Sequence, residues 1–360
     1  MKVIIDIGHP AHVHYFKNII RIIESKGGRC IVTSRDKEIA FKLLNHESIP
    51  YISRGSGGNG AVGKTLYMFK ATKFLSKIIK KERPDIAISF SSPYLAQASY
   101  WNKIPHIAFD DTEHAKLSHK LCWPFCEAIY TPSAYRLKSF KNQKIFDGYM
   151  ELSYLHPDYF TPDPNIIKEE GVTKDEKYVI LRFVSWGAVH DRGHNGFSDS
   201  QKEKIVRNLS KCAKVLISSE AELPESLKPH KINLPVHQIH HLIAYASLLY
   251  GESATMASEA AILGTPAIFH DKTGRGYTDE QEKKYGLVYN YSDSLVDQES
   301  SLNKALEIIQ TDNSKKKYEE KRHQLIKDKI DVTSFMTWVI ENYPESIKDD
   351  AICKYLNGNN

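Results

Sequence analysis

The sequence predicts an α/β protein of two domains, each a parallel sheet with helices on both faces. Three observations carry this. The chain has 360 residues, and a domain usually takes roughly 100–200. Short apolar runs alternate with segments of helical periodicity from the first residues onward, the pattern of βαβ units. That alternation stops at the Pro- and aromatic-rich stretch 154–164 (YLHPDYFTPDP) and then restarts, which marks an interdomain linker.

Element by element, residues 3–7 (VIIDI) read as a buried strand, and Val13, Phe16, Ile19, Ile20 and Ile23 follow at helical spacing until Gly27-Gly28. Residues 30–33 form the next strand, and a helix passes through Ile39, Leu43 and Leu44. A Gly-rich loop over 55–63 leads into a helix carrying Leu66, Phe69, Phe74, Ile78 and Ile79, and Pro84 opens the strand 86–90. Further apolar runs lie at 104–109, 128–130 and 144–146. After the linker come strands at 178–184, 214–218, 246–250, 266–269 and 287–289, with helices at 201–209 and 255–263. Gly264 and Pro266 stop the second of these helices. The last sixty or so residues are helical and charged apart from the apolar stretch 335–340, and the final five are expected to fray.

Composition sets bounds on function. Hydrophobic residues make up 41% and charged residues 26%, and no run reaches the roughly 18 apolar residues of a membrane span. The N-terminal apolar stretch is interrupted by Asp6, so no secretory signal is expected. Five cysteines are too few for a disulfide framework and point to the reducing cytoplasm. Lys and Arg number 49 against 44 Asp and Glu, a net +5, and the two signs alternate along the chain, so no nucleic-acid partner is expected.

Three segments could carry chemistry. Gly58-Asn59-Gly60-Ala61-Val62-Gly63-Lys64-Thr65 matches the P-loop pattern G-x-x-x-x-G-K-[ST]. A P-loop leaves a central buried strand directly, whereas residues 51–55 are short and polar. The segment therefore reads as a Gly-rich loop, with a Mg-ATP phosphotransferase as an alternative. In the second segment, His9, His12 and His14 follow the first strand, on the side where open α/β sheets bind ligands. Their spacing shares no helix face and no Cys or carboxylate completes a tetrahedral site, so no metal is expected there. His12 is the choice for a general base or sugar-hydroxyl contact, with His9 and His14 capping or packing on the acceptor side. In the third, Gly251-Glu252-Ser253-Ala254-Thr255-Met256-Ala257-Ser258-Glu259 places small and hydroxyl residues between a strand and a helix. The free N–H groups and dipole of that helix favour a diphosphate, and Glu259 is placed to accept from ribose hydroxyls.

The motif Gly-x-Ser-x-Thr-Met-x-x-Glu-Ala-x-x-x-Gly-x-Pro resembles the nucleotide-sugar motif of GT-B fold glycosyltransferases and UDP-sugar 2-epimerases. Asp6-Ile7-Gly8-His9-Pro10-Ala11-His12-Val13-His14-Tyr15-Phe16 and Asp110-Asp111-Thr112-Glu113-His114-Ala115 narrow the resemblance. They are similar to a GT-B-like bacterial and archaeal family carried as a domain of unknown function. The resemblance covers roughly residues 1–340 and implies two Rossmann-like domains facing each other across a cleft. It implies an N-terminal acceptor domain over 1–153, a linker over 154–165 and a nucleotide-sugar domain over 166–330. A helix over 331–345 would cross back, followed by a tail over 346–360.

Carried over residue by residue, Ala11-His12-Val13 resembles the Gly-His-Val of MurG-type transferases, whose histidine lies on the acceptor side. Glu259 matches the ribose-binding glutamate, and Ser253, Thr255 and Met256 match the diphosphate turn. Asp279, Glu280 and Gln281 resemble the segment contacting donor-sugar hydroxyls, and Ser185 and Gly187 stand at a second phosphate-facing turn. Two departures stand out: Ser-Trp-Gly-Ala with a His/Asp/Arg/Gly-rich insertion (190–197) replaces a glycine-rich run, and position 252 is Glu.

Asp110 and Asp111 could hold Mg²⁺ or act as a base beside His12, and since GT-B enzymes generally need no metal, the base or acceptor-binding role is preferred. Asp111 could equally start the next helix as its cap. Glu113 and His114 fall on the acceptor side. Cys122 and Cys126, near His114 and His119, superficially resemble a zinc site. With Trp-Pro in the gap and no second cysteine pair they read as buried structural thiols. Lys64, Lys70, Lys73, Lys77, Lys80 and Lys81 interleave with Phe69, Phe74 and Ile78 on one helix. They read as a solvated face or as a surface that docks on the inner membrane.

The expected function is transfer of a sugar from a nucleotide sugar, most simply a UDP-sugar, to an acceptor hydroxyl in cell-surface polysaccharide or glycolipid synthesis. No cofactor and no metal are expected. The partners are the donor, a saccharide or lipid-linked acceptor, and a peripheral contact with the cytoplasmic membrane face. A 2-epimerase, using Asp110, Asp111, Glu113 and Glu252, is the nearest alternative, and a non-catalytic nucleotide-sugar sensor a further one.

Overall fold

The computed structural model describes residues 1–58, 60–137, 140–184 and 196–358. They divide into two units, Met1–Tyr159 with Lys329–Asn360, and Phe160–Asp328. The first unit begins β1 (Lys2–Ile7), α1 (Pro10–Ser25), β2 (Arg29–Ser34), α2 (Glu38–His46), β3 (Tyr51–Ser53), α3 (Gly60–Glu82) and β4 (Ile86–Phe90). It continues α4 (Pro93–Trp101), β5 (His106–Phe109), α5 (Lys116–Cys122), β6 (Ala128–Pro132), β7 (Gln143–Phe146) and α6 (Leu152–Leu155). Its seven strands run in the order β3-β2-β1-β4-β5-β6-β7, parallel throughout. Strand β1 is buried from Val3 to Ile7, as its unbroken apolar run requires of a central parallel strand.

Helix α1 buries Val13, Phe16, Ile19, Ile20 and Ile23, the predicted stripe. Gly27 ends that turn in the left-handed region (φ +79°). Strand β3 has three residues and lies at the sheet edge. The segment after it therefore does not leave a central strand, and Lys64 and Thr65 are exposed on α3. This is the wrong setting for a P-loop, whose backbone cradle depends on a central strand aimed at the phosphates.

The second unit holds β8 (Tyr178–Phe183), α7 (Asp199–Leu209), β9 (Lys214–Ser219), α8 (Ile239–Tyr245), β10 (Leu248–Gly251) and α9 (Ala254–Leu263). Then come β11 (Ala267–His270), α10 (Gly276–Glu280), β12 (Val288–Tyr291), α11 (Leu295–Gln310) and α12 (Ser314–Asp328). Its five strands are parallel, in the order β12-β11-β10-β8-β9. Helix α7 opens with a capping box between Ser198 and Gln201, and α9 closes on Gly264 at φ +84°.

Two expectations at the ends of segments need correction. Tyr154 and Leu155, assigned to the linker, are buried at the end of α6 in the first unit. The adjacent Ser153 carbonyl accepts from Asn18 and Thr333, which fixes this turn. The residues assigned to a tail form α14 (Asp349–Gly358), following α13 (Val332–Glu341) in the first unit. Tyr355 stacks on Trp338 at 4.5 Å and Ile352 is buried, so the last helix has an apolar seat. Phe335 of α13 packs between Tyr130 and Phe146. No helix among the described residues is long and apolar enough to cross a membrane.

The second unit also has a built-in acid sensitivity. His270 at the end of β11 is buried, with Nδ1 donating to the Ser292 carbonyl (3.1 Å) and Nε2 facing the Ser301 hydroxyl (2.9 Å). Burial pushes its pKa from 6.5 down to about 4. The unfolded chain therefore takes this proton first, and stability falls as pH drops through about 6.5, with the full loss of about 3 kcal/mol reached below pH 4. Urea unfolding of the wild type and His270→Gln at pH 7 and pH 4.5 checks this. The variant should lose less stability between the two pH values, and equal losses would contradict it.

Candidate functional site

Each sheet reverses its strand order at one point, and in open α/β sheets ligands bind at the carboxyl ends of the strands there. In the second unit the reversal falls between β8 and β10. Gly251 ends β10 so close to β8 that a Cβ would lie 2.1 Å from the Arg182 carbonyl oxygen, so no larger residue fits. Glu252 follows, buried, and its carboxylate accepts from the amides of Val184 (3.1 Å) and Phe197 (2.8 Å). The acidic residue that departs from the resembled motif thus ties together the two flanks of the segment 185–195. Ser185 and Gly187 lie in that segment, outside the described residues.

Ser253 caps α9, its hydroxyl accepting from the Met256 amide (3.3 Å). Residues 253–256 are partly exposed while the rest of α9 is buried. This leaves a helix N-terminus open to an anion at the strand-order reversal. One turn further, Glu259 is buried with Oε1 3.0 Å from His240 Nε2 of α8. That neighbour fixes one carboxylate oxygen, and no sequence pattern pointed to it. Gln281, expected at the donor sugar, is fully buried and donates to the Ser258 hydroxyl (2.8 Å). It supports α9 from behind, and the adjoining Asp279 and Glu280 are partly exposed.

In the first unit the reversal falls between β1 and β4. A cavity of about 220 Å³ opens there, lined among others by Gly8, His12, Arg54, Ser91, Tyr94 and Asp110. The Gly8 amide donates to His12 Nδ1 (3.2 Å), which leaves the ring proton on Nε2. Burial, with His9, Lys37 and Arg54 nearby, pushes the His12 pKa well below that of a free imidazole. His12 is thus an uncharged ring, packed on Phe90 at 4.9 Å, presenting an N–H donor. His9 caps α1 through the Ala11 amide (3.3 Å), and His14 is buried against Tyr154 (5.1 Å). Ser91 holds a left-handed backbone (φ +42°) at the mouth of β4, a conformation that non-glycine residues keep chiefly at functional turns.

Asp110 directly follows β5 and is buried. Its Oδ1 accepts from the Thr112 amide (2.7 Å) and its Oδ2 lies 3.3 Å from His119 Nε2. Asp111 and Glu113 are buried beside it but are not among the cavity's lining residues. Asp111 accepts from the Thr112 hydroxyl (3.1 Å) and Glu113 from the Arg136 amide (2.8 Å). His114 is exposed, and α5 starts at Lys116 with Ala115 as its cap, so Asp111 does not cap it.

Sequence reasoning missed Arg54. Its guanidinium is buried with Asp6 (Nε–Oδ1 2.8 Å), bonds the Tyr67 hydroxyl and lies over the Tyr94 ring at 4.7 Å. Asp6 also accepts from the hydroxyls of Thr33 (2.8 Å) and Ser92 (2.6 Å). Burial works against the charge on Arg54, but Asp6 together with Tyr67 and Tyr94 outweighs it and raises its pKa.

Two parallel-sheet units with ligand-side turns of this kind define a GT-B-like protein. Residues 1–337 match the family described as "Protein of unknown function (DUF354)", and the chain belongs to it. An uncharacterised protein of Methanocaldococcus jannaschii is 26% identical over 278 residues, covering 74% of this chain and 81% of that one. The UDP-N-acetylglucosamine–N-acetylmuramyl-(pentapeptide) pyrophosphoryl-undecaprenol N-acetylglucosamine transferase of Clostridium botulinum is 26% identical over 251 residues, 64% of this chain and 66% of that one. Among solved structures, the M. jannaschii UDP-GlcNAc 2-epimerase in complex with UDP-GlcNAc and UDP has a TM-score of 0.62 at 14% identity, covering 90% and 99% of the chains. The spinosyn rhamnosyltransferase SpnG with spinosyn aglycone has a TM-score of 0.60 at 9% identity, covering 95% and 100%. Transferases and epimerases thus share this fold.

Proposed function

We propose that the chain is a glycosyltransferase that moves a sugar from a UDP-sugar to an acceptor hydroxyl in cell-surface polysaccharide or glycolipid synthesis. The observation that carries this is the β10–Ser253–α9 turn with Glu259 held by His240. The second unit would bind the donor, with the α9 N-terminus facing the diphosphate and Glu259 accepting from the ribose. The first unit would receive the acceptor in the cavity of Asp110 and His12. The acceptor oxygen attacks the anomeric carbon as the bond to the diphosphate breaks. Asp110 takes the hydroxyl proton, His12 donates from Nε2 to an acceptor oxygen, and the helix dipole stabilises the departing charge.

Two of the four carboxylates an epimerase would draw on have local duties and lie off the cavity that holds Asp110: Glu252 binds the amides of Val184 and Phe197, and Glu113 binds that of Arg136. This favours transfer over epimerisation. A membrane-bound acceptor is supported by α3, where Val62, Leu66 and Phe69 are exposed on the helix that carries the lysines. The enzyme would then work at the cytoplasmic membrane face.

Calorimetric titration with UDP, GDP and Mg-ATP tests the reading. UDP should bind, and Glu259→Gln should weaken it about 10–100-fold, the value of a hydrogen bond to a charged group. Lys64→Ala should bind UDP as the wild type does. Binding of Mg-ATP alone, lost in Lys64→Ala, would overturn it.

A further inference from the structure

A cluster of soft donors lies in the first unit at the amino end of β5, opposite the end that carries Asp110. His106 Nδ1 is 3.2 Å from Cys126 Sγ, and Cys126 Sγ is 3.8 Å from Cys122 Sγ. The three donor atoms all fall within 4.8 Å of one another, and all three residues are buried. It is the one such group of His, Cys and carboxylate donors among the described residues. We propose that His106, Cys122 and Cys126 form a binding site for Zn²⁺.

The spacing fits the ion. Zinc sits about 2.3 Å from sulfur and 2.0–2.1 Å from imidazole nitrogen, so a tetrahedral ion separates two sulfurs by about 3.8 Å and sulfur from nitrogen by about 3.5 Å. The observed 3.8 and 3.2 Å lie close to both, and the third pair, His106 with Cys122, falls within 4.8 Å, so small side-chain movements bring the three donors onto one ion. The outer contacts fit too. His106 Nε2 lies 2.9 Å from the Ser89 hydroxyl, which also accepts from the Ser92 amide (2.9 Å). A ligating histidine typically uses its second nitrogen this way, which fixes the ring and the tautomer.

Charge balance favours a divalent ion. Binding forms two Zn–S bonds and one Zn–N bond, and both thiol protons leave to solvent. No electron is transferred. Two thiolates and Zn²⁺ sum to zero, so the ion enters a buried place without a net charge to desolvate, and a monovalent ion would leave one negative charge there. The third donor is not adjacent to the cysteines in sequence. It comes from the strand before α5, not from His114 or His119. The ion would clamp the turn Trp123–Phe125 to β5, next to His119, which stacks on Trp123 at 4.2 Å and adjoins Asp110.

The test uses the full chain, thiols reduced and metal stripped with a chelator, titrated with Co²⁺ and then Zn²⁺. One equivalent of Co²⁺ should produce a thiolate-to-cobalt charge-transfer band that Zn²⁺ bleaches, and Zn²⁺ should raise the urea unfolding midpoint of the wild type. Cys126→Ser and His106→Gln should weaken Zn²⁺ binding at least tenfold, while Cys353→Ser, at an exposed position, should not. Absence of the band together with an unshifted wild-type midpoint would overturn the site, even if both ligand variants failed to fold. So would Zn²⁺ uptake that persists unchanged in a folded Cys126→Ser. Neither readout depends on nucleotide binding.

Discussion

Replacing Arg54 with methionine should destabilise the first unit by about 3–5 kcal/mol, because it strands the Asp6 carboxylate in the core. Asp6 and Arg54 have essentially no exposed side-chain surface. The two remaining donors to Asp6, the hydroxyls of Thr33 and Ser92, are neutral and cannot compensate a full charge. Urea unfolding followed by tryptophan fluorescence reads this well, since Trp101, Trp123 and Trp338 all belong to the first unit. The double variant Asp6→Asn/Arg54→Met should recover much of the loss, since neither charge is then buried alone. A single variant within about 0.5 kcal/mol of the wild type, the range of ordinary surface changes, would contradict the assignment.

Asp110→Asn should lower release of UDP from a UDP-sugar in the presence of acceptor by about 10²–10⁴-fold, the usual contribution of a positioned base. UDP affinity should be unchanged, because Asp110 belongs to the first unit and the proposed donor contacts to the second. Asparagine keeps the size and can still accept from the Thr112 amide, so the fold should be preserved. His12→Gln should cost less, since glutamine can also donate a hydrogen bond. Equal turnover in Asp110→Asn and wild type would remove Asp110 from the reaction. Labelled product formed without acceptor would instead indicate epimerisation.

Most of the architecture was legible because parallel strands and their helices write strong periodicities. The runs at Lys2–Ile7, Ile86–Phe90 and Tyr178–Phe183 are buried on both faces and have little polar interruption. The exception inside the first, Asp6, was itself a signal. A carboxylate inside a buried strand calls for a partner, usually a cation, but nothing in the chain marks which of 49 Lys and Arg residues supplies it. Arg54 is brought there by the pairing of β3 with β2, a long-range event. His240 and His106 were hidden for the same reason. Each reaches its partner through tertiary packing, α8 against α9 and β5 against the turn after α5. The Ser253 cap and Gly264 stop were local, and local rules found them. The P-loop match shows the opposite failure: a correct string that follows an edge strand.

The central claim is that UDP binds at the turn before α9. Amide hydrogen exchange with and without UDP tests it directly. Exchange should slow at Ala254, Thr255 and Met256, with little change over Gly63 to Leu66. Binding of UDP that leaves residues 254–256 unprotected, or protection confined to the Gly-rich segment, would contradict the account.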